Sequence, residues 1–191
     1  MNLRCFIAIA IPDTIKKEIG EIIYNLEKYD ADIKWVIPEN VHLTLKFLGS
    51  TSDSLLPKIH ESLFKAVSSF SHFYIKICGT GVFPNRKYPR VIWIGAENSS
   101  TLRRLSSNIE DSMSSLGFKK ENKEFNPHLT LGRVRSQSGV IHIINELDNI
   151  KGKDFGNIYA DNIKLMKSDL KPKGAEYICL YEIPFGGNRT F

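Results

Sequence analysis

The sequence lacks three features that would assign it to a familiar class of protein. No apolar run approaches the roughly 20 residues that span a bilayer, so we expect no membrane segment. The apolar stretch LRCFIAIAIPD near the N-terminus has one Arg and no small-residue cleavage site, which is typical of a first β-strand rather than a signal peptide. Cysteine is scarce: Cys5, Cys78 and Cys179 lie far apart in apolar runs and form no C-x-x-C pair. This pattern predicts buried free thiols in a reducing cytosol, and hence a cytoplasmic protein.

Charge and overall composition exclude little more. The 26 basic and 21 acidic residues give a net charge of +5 and a pI near 9.0, which permits a polyanionic partner such as RNA without requiring one. Hydrophobic residues at 42% and charged residues at 25% are ordinary for a soluble globular protein. No oligomerisation signal stands out, so we expect a monomer.

Hydrophobic periodicity predicts an α+β protein whose second half repeats the first. Each half gives a helix, then a strand containing HLTL, then another helix, and no linker rich in Pro, Gly or Ser separates the halves. We expect residues 1–191 to form one domain of two pseudo-repeated, intertwined lobes. Two antiparallel sheets face a central cleft, helices lie outside, and the N-terminal and C-terminal strands cross between lobes. The predicted strands are 3–11, 33–36, 41–48, 72–79, 90–95, 125–134, 157–167 and 175–184, and the predicted helices are 13–29, one from about 54, 102–116 and 139–148.

The tetrapeptide HLTL occurs twice, at 42–45 and 128–131, in a chain that has only five histidines. Side chains alternate between the two faces of a strand. In the first copy His42, Thr44 and Lys46 are therefore expected on one face, with the leucines packed behind. In the second copy His128 and Thr130 share a face in the same way. If the two strands lie in facing lobes, two imidazoles and two hydroxyls converge on the cleft.

This set of groups suits an in-line displacement at phosphorus. One neutral imidazole can take a proton from attacking water and one imidazolium can give a proton to a departing ribose oxygen, because a pKa of about 6.5 leaves both forms accessible. The hydroxyls can donate hydrogen bonds to the non-bridging oxygens as charge develops.

Two other interpretations compete with acid–base catalysis. A lone histidine in a strand is more often structural, and two histidines can be metal ligands. The matched threonines argue against the first, and the lack of a recurring third ligand argues against the second, so we expect no metal and no cofactor. The remaining histidines, His60, His72 and His142, lie outside the repeat.

Two longer segments extend the repeat into a family resemblance. WVIPENVHLTLKFLG (35–49) and FNPHLTLGRVR (125–135) resemble the two H-x-T-x signatures of the 2H phosphoesterases. Within that superfamily the chain is similar to the RNA 2′,3′-cyclic phosphodiesterases, long called 2′-5′ RNA ligases. RCFIAIAIP at the N-terminus and GVFPNRKYPRVIWIGAE (81–97) fit the same family, so the resemblance covers most of the chain.

The resemblance implies a bilobal fold and hydrolysis of RNA 2′,3′-cyclic phosphate ends to 2′-phosphomonoesters. It implies that His42 is the proton donor to the 3′ oxygen, that His128 is the proton acceptor that activates water, and that Thr44 and Thr130 hold the phosphate. Its partners would be RNA ends, including tRNA halves. The family is also associated with the reverse reaction, in which a 5′-hydroxyl replaces water and a 2′-5′ linkage forms.

Further candidates for substrate binding lie around the two motifs. Arg133 falls where the family has an arginine after its second motif, and a guanidinium suits a phosphate. By strict alternation Arg133 points to the leucine face, so it must reach the cleft through a twist near Gly132. Lys46, on the expected face of His42, would add positive charge. The loop FPNRKYPR (83–90) interleaves basic and aromatic side chains, as sites for single-stranded RNA ends do, and its candidates are Phe83, Arg86, Tyr88 and Arg90.

Other functions stay open at this stage. The same fold and catalytic pair can act on small cyclic phosphates, such as ADP-ribose 1″,2″-cyclic phosphate, or on linear 2′-5′ oligonucleotides. A second class is a nucleotide- or RNA-binding module without turnover. Both histidines and both threonines are present, which favours the enzyme.

Overall fold

The computed structural model describes residues 2–171 and 174–186. Nine strands and four α-helices lie in these two ranges. The strands are β1 Asn2–Ala10, β2 Ile33–Trp35, β3 His42–Ser52, β4 Phe73–Phe83, β5 Val91–Ala96, β6 His128–Val134, β7 Asp154–Ala160, β8 Asn162–Lys171 and β9 Gly174–Pro184. The helices are α1 Asp13–Leu26, α2 Leu56–Val67, α3 Ser100–Ser115 and α4 Val140–Asn149. None of the helices in this part of the chain is long and apolar enough to cross a membrane.

The strands form one curled antiparallel sheet in the order β7-β4-β5-β6-β3-β1-β8-β9, with β2 paired to β6. In the middle of the sheet, β3 and β6 pair over a short length, where Leu43 lies opposite Leu129. We call strands β3, β1, β8 and β9 the His42 half and strands β6, β5, β4 and β7 the His128 half. The predicted α+β class is confirmed, with one curled antiparallel sheet whose two halves take the place of the two expected sheets, and with four helices.

A local two-fold axis relates the two halves. Leu43 and Leu129 are the same position of the repeated HLTL, and they face each other across the join. On the outer side of each motif strand the neighbour is also equivalent, because Ile9 of β1 lies opposite Leu43 and Ile94 of β5 lies opposite Leu129. The division of residues 1–191 into a single bilobal domain stays a prediction.

Helices α1 and α3 each pack against the half of the sheet that does not contain the strand they follow. Helix α1 follows β1, yet Glu18 of α1 pairs with Lys153 beside β7 at 2.8 Å between Oε1 and Nζ. Helix α3 follows β5, yet Asn108 of α3 donates a hydrogen bond to the Ala66 carbonyl of α2 in the His42 half, and α3 contacts β3. The expected crossing of terminal strands therefore holds for β8 and β9, which return to the His42 half, and is wrong for β1, which stays with β3.

The core lies between the sheet and the helices, as the sequence pattern requires. The buried side chains of α1 recur at helical spacing, at Ile15, Ile19, Ile23 and Leu26.

Two predictions from the sequence are wrong in the last three strands. Residues 157–167 are two strands with a turn at Asp161, where no Gly or Pro marks the break. Cys179 is exposed, because β9 is the edge strand of the sheet.

Candidate active site

The two motif histidines have the same hydrogen-bond geometry. His42 Nδ1 lies 2.7 Å from the carbonyl oxygen of Asn40, and His128 Nδ1 lies 2.7 Å from that of Asn126. A carbonyl oxygen can only accept, so each Nδ1 carries the hydrogen and donates it. In the neutral ring Nε2 then holds the free lone pair, which is the state that a proton acceptor needs.

The asparagines are the part of the repeat that the sequence interpretation missed. The repeated unit is N-x-H-L-T-L, at 40–45 and 126–131, and the sequence has this Asn in both copies. Asn40 has a second contact, because its Nδ2 donates to the Ala175 carbonyl of β9 at 2.7 Å. That bond joins the start of the first motif strand to the far edge of the His42 half.

The antiparallel register brings the four motif side chains together. Around the Leu43–Leu129 pair, His42 comes beside Thr130 and Thr44 beside His128. The leucines of both strands are buried, so the histidines and threonines share the opposite, half-buried face. Neither threonine hydroxyl hydrogen-bonds to another group in residues 2–171 and 174–186, which leaves both able to donate to a ligand.

Aromatic rings enclose the two histidines differently. The His42 ring stacks on Phe6, with 4.6 Å between centroids, and meets the edge of Tyr177 at 5.2 Å. The His128 ring meets Phe83 edge-on at 5.0 Å, and Phe83 packs against Trp93 at 5.1 Å. The His42 side is therefore the more enclosed side of the site.

Burial is the main cause of a lowered pKa at His42. Enclosure by aromatic rings disfavours the imidazolium, the hydrogen bond to the Asn40 carbonyl opposes this effect, and the positive charge of His128 lowers the pKa further. The effect of charge also means that the two imidazoles lie close enough for a Coulombic interaction.

We expect His42 to titrate below about pH 6.5 in the free protein. The unfolded chain then binds the proton at higher pH than the folded one, so His42 destabilises the fold as pH falls through 6.5. A ¹H–¹³C NMR titration of the imidazoles measures this. In the His128→Ala variant the pKa of His42 should rise but stay below its ordinary value, because burial is the larger cause. A wild-type His42 that titrates at or above 6.5 would contradict the assigned environment.

A β-bulge in each motif strand decides which later residues face the cleft. On β3 the register passes from Thr44 to Lys46 and leaves Leu45 without a partner, and on β6 it passes from Thr130 to Gly132. Burial follows the same pattern residue by residue in both strands, with two consecutive buried positions at the bulge. Alternation is therefore inverted after the bulge.

Because of the bulge, Lys46 and Arg133 lie on the faces opposite to those that strict alternation predicts. Lys46 does not share the His42 face: it is 3% exposed, and its Nζ pairs with Glu110 Oε1 at 2.6 Å behind the sheet. Arg133, which strict alternation put on the leucine face, lines the cleft beside Thr130. The prediction that Lys46 adds charge to the cleft is wrong for this reason. Arg133 reaches it through the bulge, without bending around a strand end.

A close approach at the second bulge explains the glycine in LTLGR. The indole of Trp35 on β2 lies over Gly132 of β6, and a Cβ there would come within 2.8 Å of Trp35 Cε3 and 2.7 Å of Ile33 Cγ2. Only a residue without a side chain lets Trp35 lie flat against the strand. Trp35 is thereby held at the wall of the cleft.

A cavity of about 460 Å³ opens beside His42, Thr44 and Thr130. Such a volume lies within the range of small-ligand sites, about 300–1,000 Å³. Four aromatic side chains line it, and four basic ones; in the parts of the chain that the structure describes, no Asp or Glu does. The aromatic residues are Phe6, Trp35, Phe47 and Tyr177, and the basic ones are Arg4, Lys34, Arg133 and Lys171.

Tyr177 connects the aromatic and the basic parts of this cavity. Burial raises the pKa of the Tyr177 phenol, and the positive charges of Arg133 and Arg4 lower it. Both guanidinium groups therefore lie within Coulombic reach of the phenol. The ring of Tyr177 also contacts the His42 imidazole.

None of the predicted loop candidates lines this cavity, but Phe83 contacts His128 as described, and its role in binding substrate stays a prediction. Arg86 forms a bidentate pair with Asp148 at 2.5 and 2.8 Å, which occupies its guanidinium. Tyr88 is 58% exposed beside Lys87, and the side chain of Arg90 is exposed. A role for Tyr88 and Arg90 in binding RNA stays a prediction.

Comparison with known proteins places this geometry in a family. A model of the LigT-like phosphoesterases matches the chain twice in tandem, over residues 9–93 and 94–177. The chain is 39% identical over 180 residues to the RNA 2′,3′-cyclic phosphodiesterase of Methanocaldococcus jannaschii, covering 94% of this chain and 99% of that protein. It is 36% identical over 187 residues to the protein of the same name from Thermotoga maritima, covering 97% of each.

Solved structures agree with the sequence matches. A crystal structure from Thermus thermophilus superposes with a TM-score of 0.82 at 26% identity, covering 98% of this chain and 100% of that one. Escherichia coli LigT complexed with 3′-AMP superposes with a TM-score of 0.74 at 23% identity, covering 97% and 99%, which shows a shared fold. The fold and the paired motif strands define a phosphoesterase. The chain belongs to the LigT-like phosphoesterase family of the 2H superfamily, and it is a hydrolase.

Proposed function

We propose that the protein hydrolyses 2′,3′-cyclic phosphate at RNA ends to a 2′-phosphomonoester, by acid–base catalysis with two histidines and without a metal ion. The observation that carries the proposal is the matched pair of imidazoles, each held by a backbone carbonyl at Nδ1 and each leaving Nε2 for proton transfer. The names of the relatives from Methanocaldococcus jannaschii and Thermotoga maritima support the substrate class.

The reaction proceeds in one displacement. A water oxygen attacks phosphorus, the bond between phosphorus and O3′ breaks, and the bond to O2′ remains. His128 Nε2 takes the proton from the water, and the His42 imidazolium gives its proton to O3′. The hydroxyls of Thr44 and Thr130 donate to the non-bridging oxygens, and Arg133 neutralises their charge.

The asymmetry of the site supports this assignment of roles. The cavity opens on the side of His42, where Phe6 and Tyr177 offer aromatic surfaces to a nucleoside. A terminal nucleoside bound there turns its departing O3′ toward His42. Water then attacks in line from the opposite side, next to His128. Since burial lowers the pKa of His42, the negative charge of the bound phosphate is what favours its protonated form.

The same geometry runs in reverse when a 5′-hydroxyl replaces water and attacks the cyclic phosphate. The product is then a 2′-5′ linkage between two RNA ends, such as tRNA halves. Hydrolysis dominates because water is abundant and both reactions open the same strained ring.

The test is a product assay on a short RNA that ends in a 2′,3′-cyclic phosphate, incubated with the protein in EDTA. Chromatography should show a 2′-phosphate that forms at the same rate with and without EDTA. A 3′-phosphate would reverse the leaving group and with it the orientation of the nucleoside. Activity that is lost in EDTA and restored by zinc would overturn the metal-free mechanism, and turnover only of small cyclic phosphates would overturn the substrate class.

A further inference from the structure

Two cations in the cavity have no charged partner within the described residues. Arg4 and Lys34 line the cavity, and neither forms an ion pair or side-chain hydrogen bond with any group in residues 2–171 and 174–186. Lys171 lies 4.0 Å from Glu176. Arg133 has no ion pair within the described residues either, but it lines the cavity with Thr130, where the proposed function assigns it to the reacting phosphate. Positive charge in a cavity without acidic lining attracts an anion beyond the one that the catalytic groups bind.

Strand geometry places these two cations at the edge of the site, away from the motif histidines. Lys34 lies directly across from Arg133 in the β2–β6 pair. Arg4 lies two residues before Phe6 on β1, and Phe6 stacks on His42. Each cation is therefore separated from the motif side chains by one intervening residue, Phe6 for Arg4 and Arg133 for Lys34.

An exposed aromatic ring in the same cavity suits RNA more than a small anion. Phe47 lines the cavity and is 57% exposed. It occupies in β3 the position that Arg133 occupies in β6, directly after the bulge. An aromatic face beside cations is the arrangement that holds single-stranded nucleic acid irrespective of sequence.

We propose that Arg4 and Lys34 bind phosphodiesters on the 5′ side of the terminal nucleotide, so that the enzyme distinguishes an RNA chain from a mononucleotide. The proposal rests on the proposed function, because the terminal nucleoside must occupy the cavity beside His42. From there the chain continues through the part of the cavity that Arg4, Lys34 and Phe47 line. A nucleoside 2′,3′-cyclic phosphate with a free 5′-hydroxyl has no group that these two cations can bind.

The experiment compares kcat/KM for a trinucleotide with a 2′,3′-cyclic end and for the matching nucleoside 2′,3′-cyclic phosphate. Lys34→Gln and Arg4→Gln should each lower kcat/KM on the trinucleotide by about tenfold, as loss of one charged hydrogen bond does, and leave the mononucleotide unchanged. For each variant the dependence of log kcat/KM on log salt should become shallower by about 0.7 on the trinucleotide. Lys17→Gln and Lys58→Gln, which remove the same charge from exposed positions on α1 and α2, should change neither substrate.

Each result has a defined meaning. Three results would overturn the role of Arg4 and Lys34 while the proposed function stands. They are equal losses on both substrates, no loss on either, and a wild-type enzyme that prefers neither substrate. Wild-type protein that turns over neither substrate would instead refute the proposed function. Arg133→Gln serves as a positive control, because it should weaken both substrates alike.

Discussion

Replacing either motif histidine by alanine is expected to lower kcat/KM on cyclic-phosphate RNA by about 10³-fold, within the range of general acid–base catalysis. Each imidazole transfers one proton in a single displacement, so loss of either one removes one of the two proton transfers. The double variant His42→Ala/His128→Ala should be little worse than either single one, because groups that act in one step are not additive. His60→Ala is the matched control, since the His60 ring packs at a tilt against Tyr181, and neither residue lines the cavity.

The roles of the two histidines can be separated by the leaving group. On a 4-nitrophenyl phosphodiester the departing phenolate needs no proton. His42→Ala should therefore lose much less on this substrate than on RNA, whereas His128→Ala should lose as much on both. The opposite pattern would exchange the roles of acid and base. Full activity of either variant on RNA would rule out the two-histidine mechanism.

Removing Glu110 is expected to cost about 3 kcal/mol in the free energy of unfolding, the lower end of the range for a buried ion pair that loses one partner. The Lys46 side chain is 1% exposed and that of Glu110 14%. Besides Glu110, Lys46 Nζ has the Lys119 carbonyl at 3.0 Å, and Glu110 Oε1 also accepts from the Glu121 amide at 2.7 Å. Glu110→Ala leaves the ammonium buried with one neutral acceptor.

Urea unfolding gives the measurement, with the midpoint compared at constant slope. The control is Glu61→Ala, which removes the acidic partner of Lys65 from an exposed pair on α2 and should not move the midpoint. The double variant Lys46→Met/Glu110→Leu should recover most of the loss, because apolar side chains of similar size replace buried ion pairs without much cost. A Glu110→Ala variant as stable as Glu61→Ala would show that water reaches Lys46.

The sequence predicts the motif pair but not the groups around it. His42 and His128 could be identified because the repeat marks them, and the leucines between them fix the buried face. Tyr177 and Phe6 come from separate strands with no local pattern, and only the strand order brings them to His42. The inversion at the bulge could not be read from alternation, so Lys46 was expected in the cleft and Arg133 was expected to reach the cleft only through a twist near Gly132.

The predicted elements show the same division between local and non-local information. Helix α1 could be predicted because its buried residues recur at the helical period. The break at Asp161 could not, since the turn between β7 and β8 contains no Gly or Pro. The exchange of α1 and α3 depends on which half of the sheet each helix covers, and both halves present buried leucines to the helices, so periodicity alone cannot distinguish them.

This exchange gives the chain the form of a domain-swapped homodimer whose two subunits are fused end to end. The tandem family matches at 9–93 and 94–177 are the two subunits, and the Leu43–Leu129 pair lies on the dimer axis. A symmetric dimer of one such unit would carry two identical active-site strands and could not distinguish one side of a substrate from the other. Within a single chain the two copies can differ, and here phenylalanine stands at position 47 where the second copy has arginine at 133.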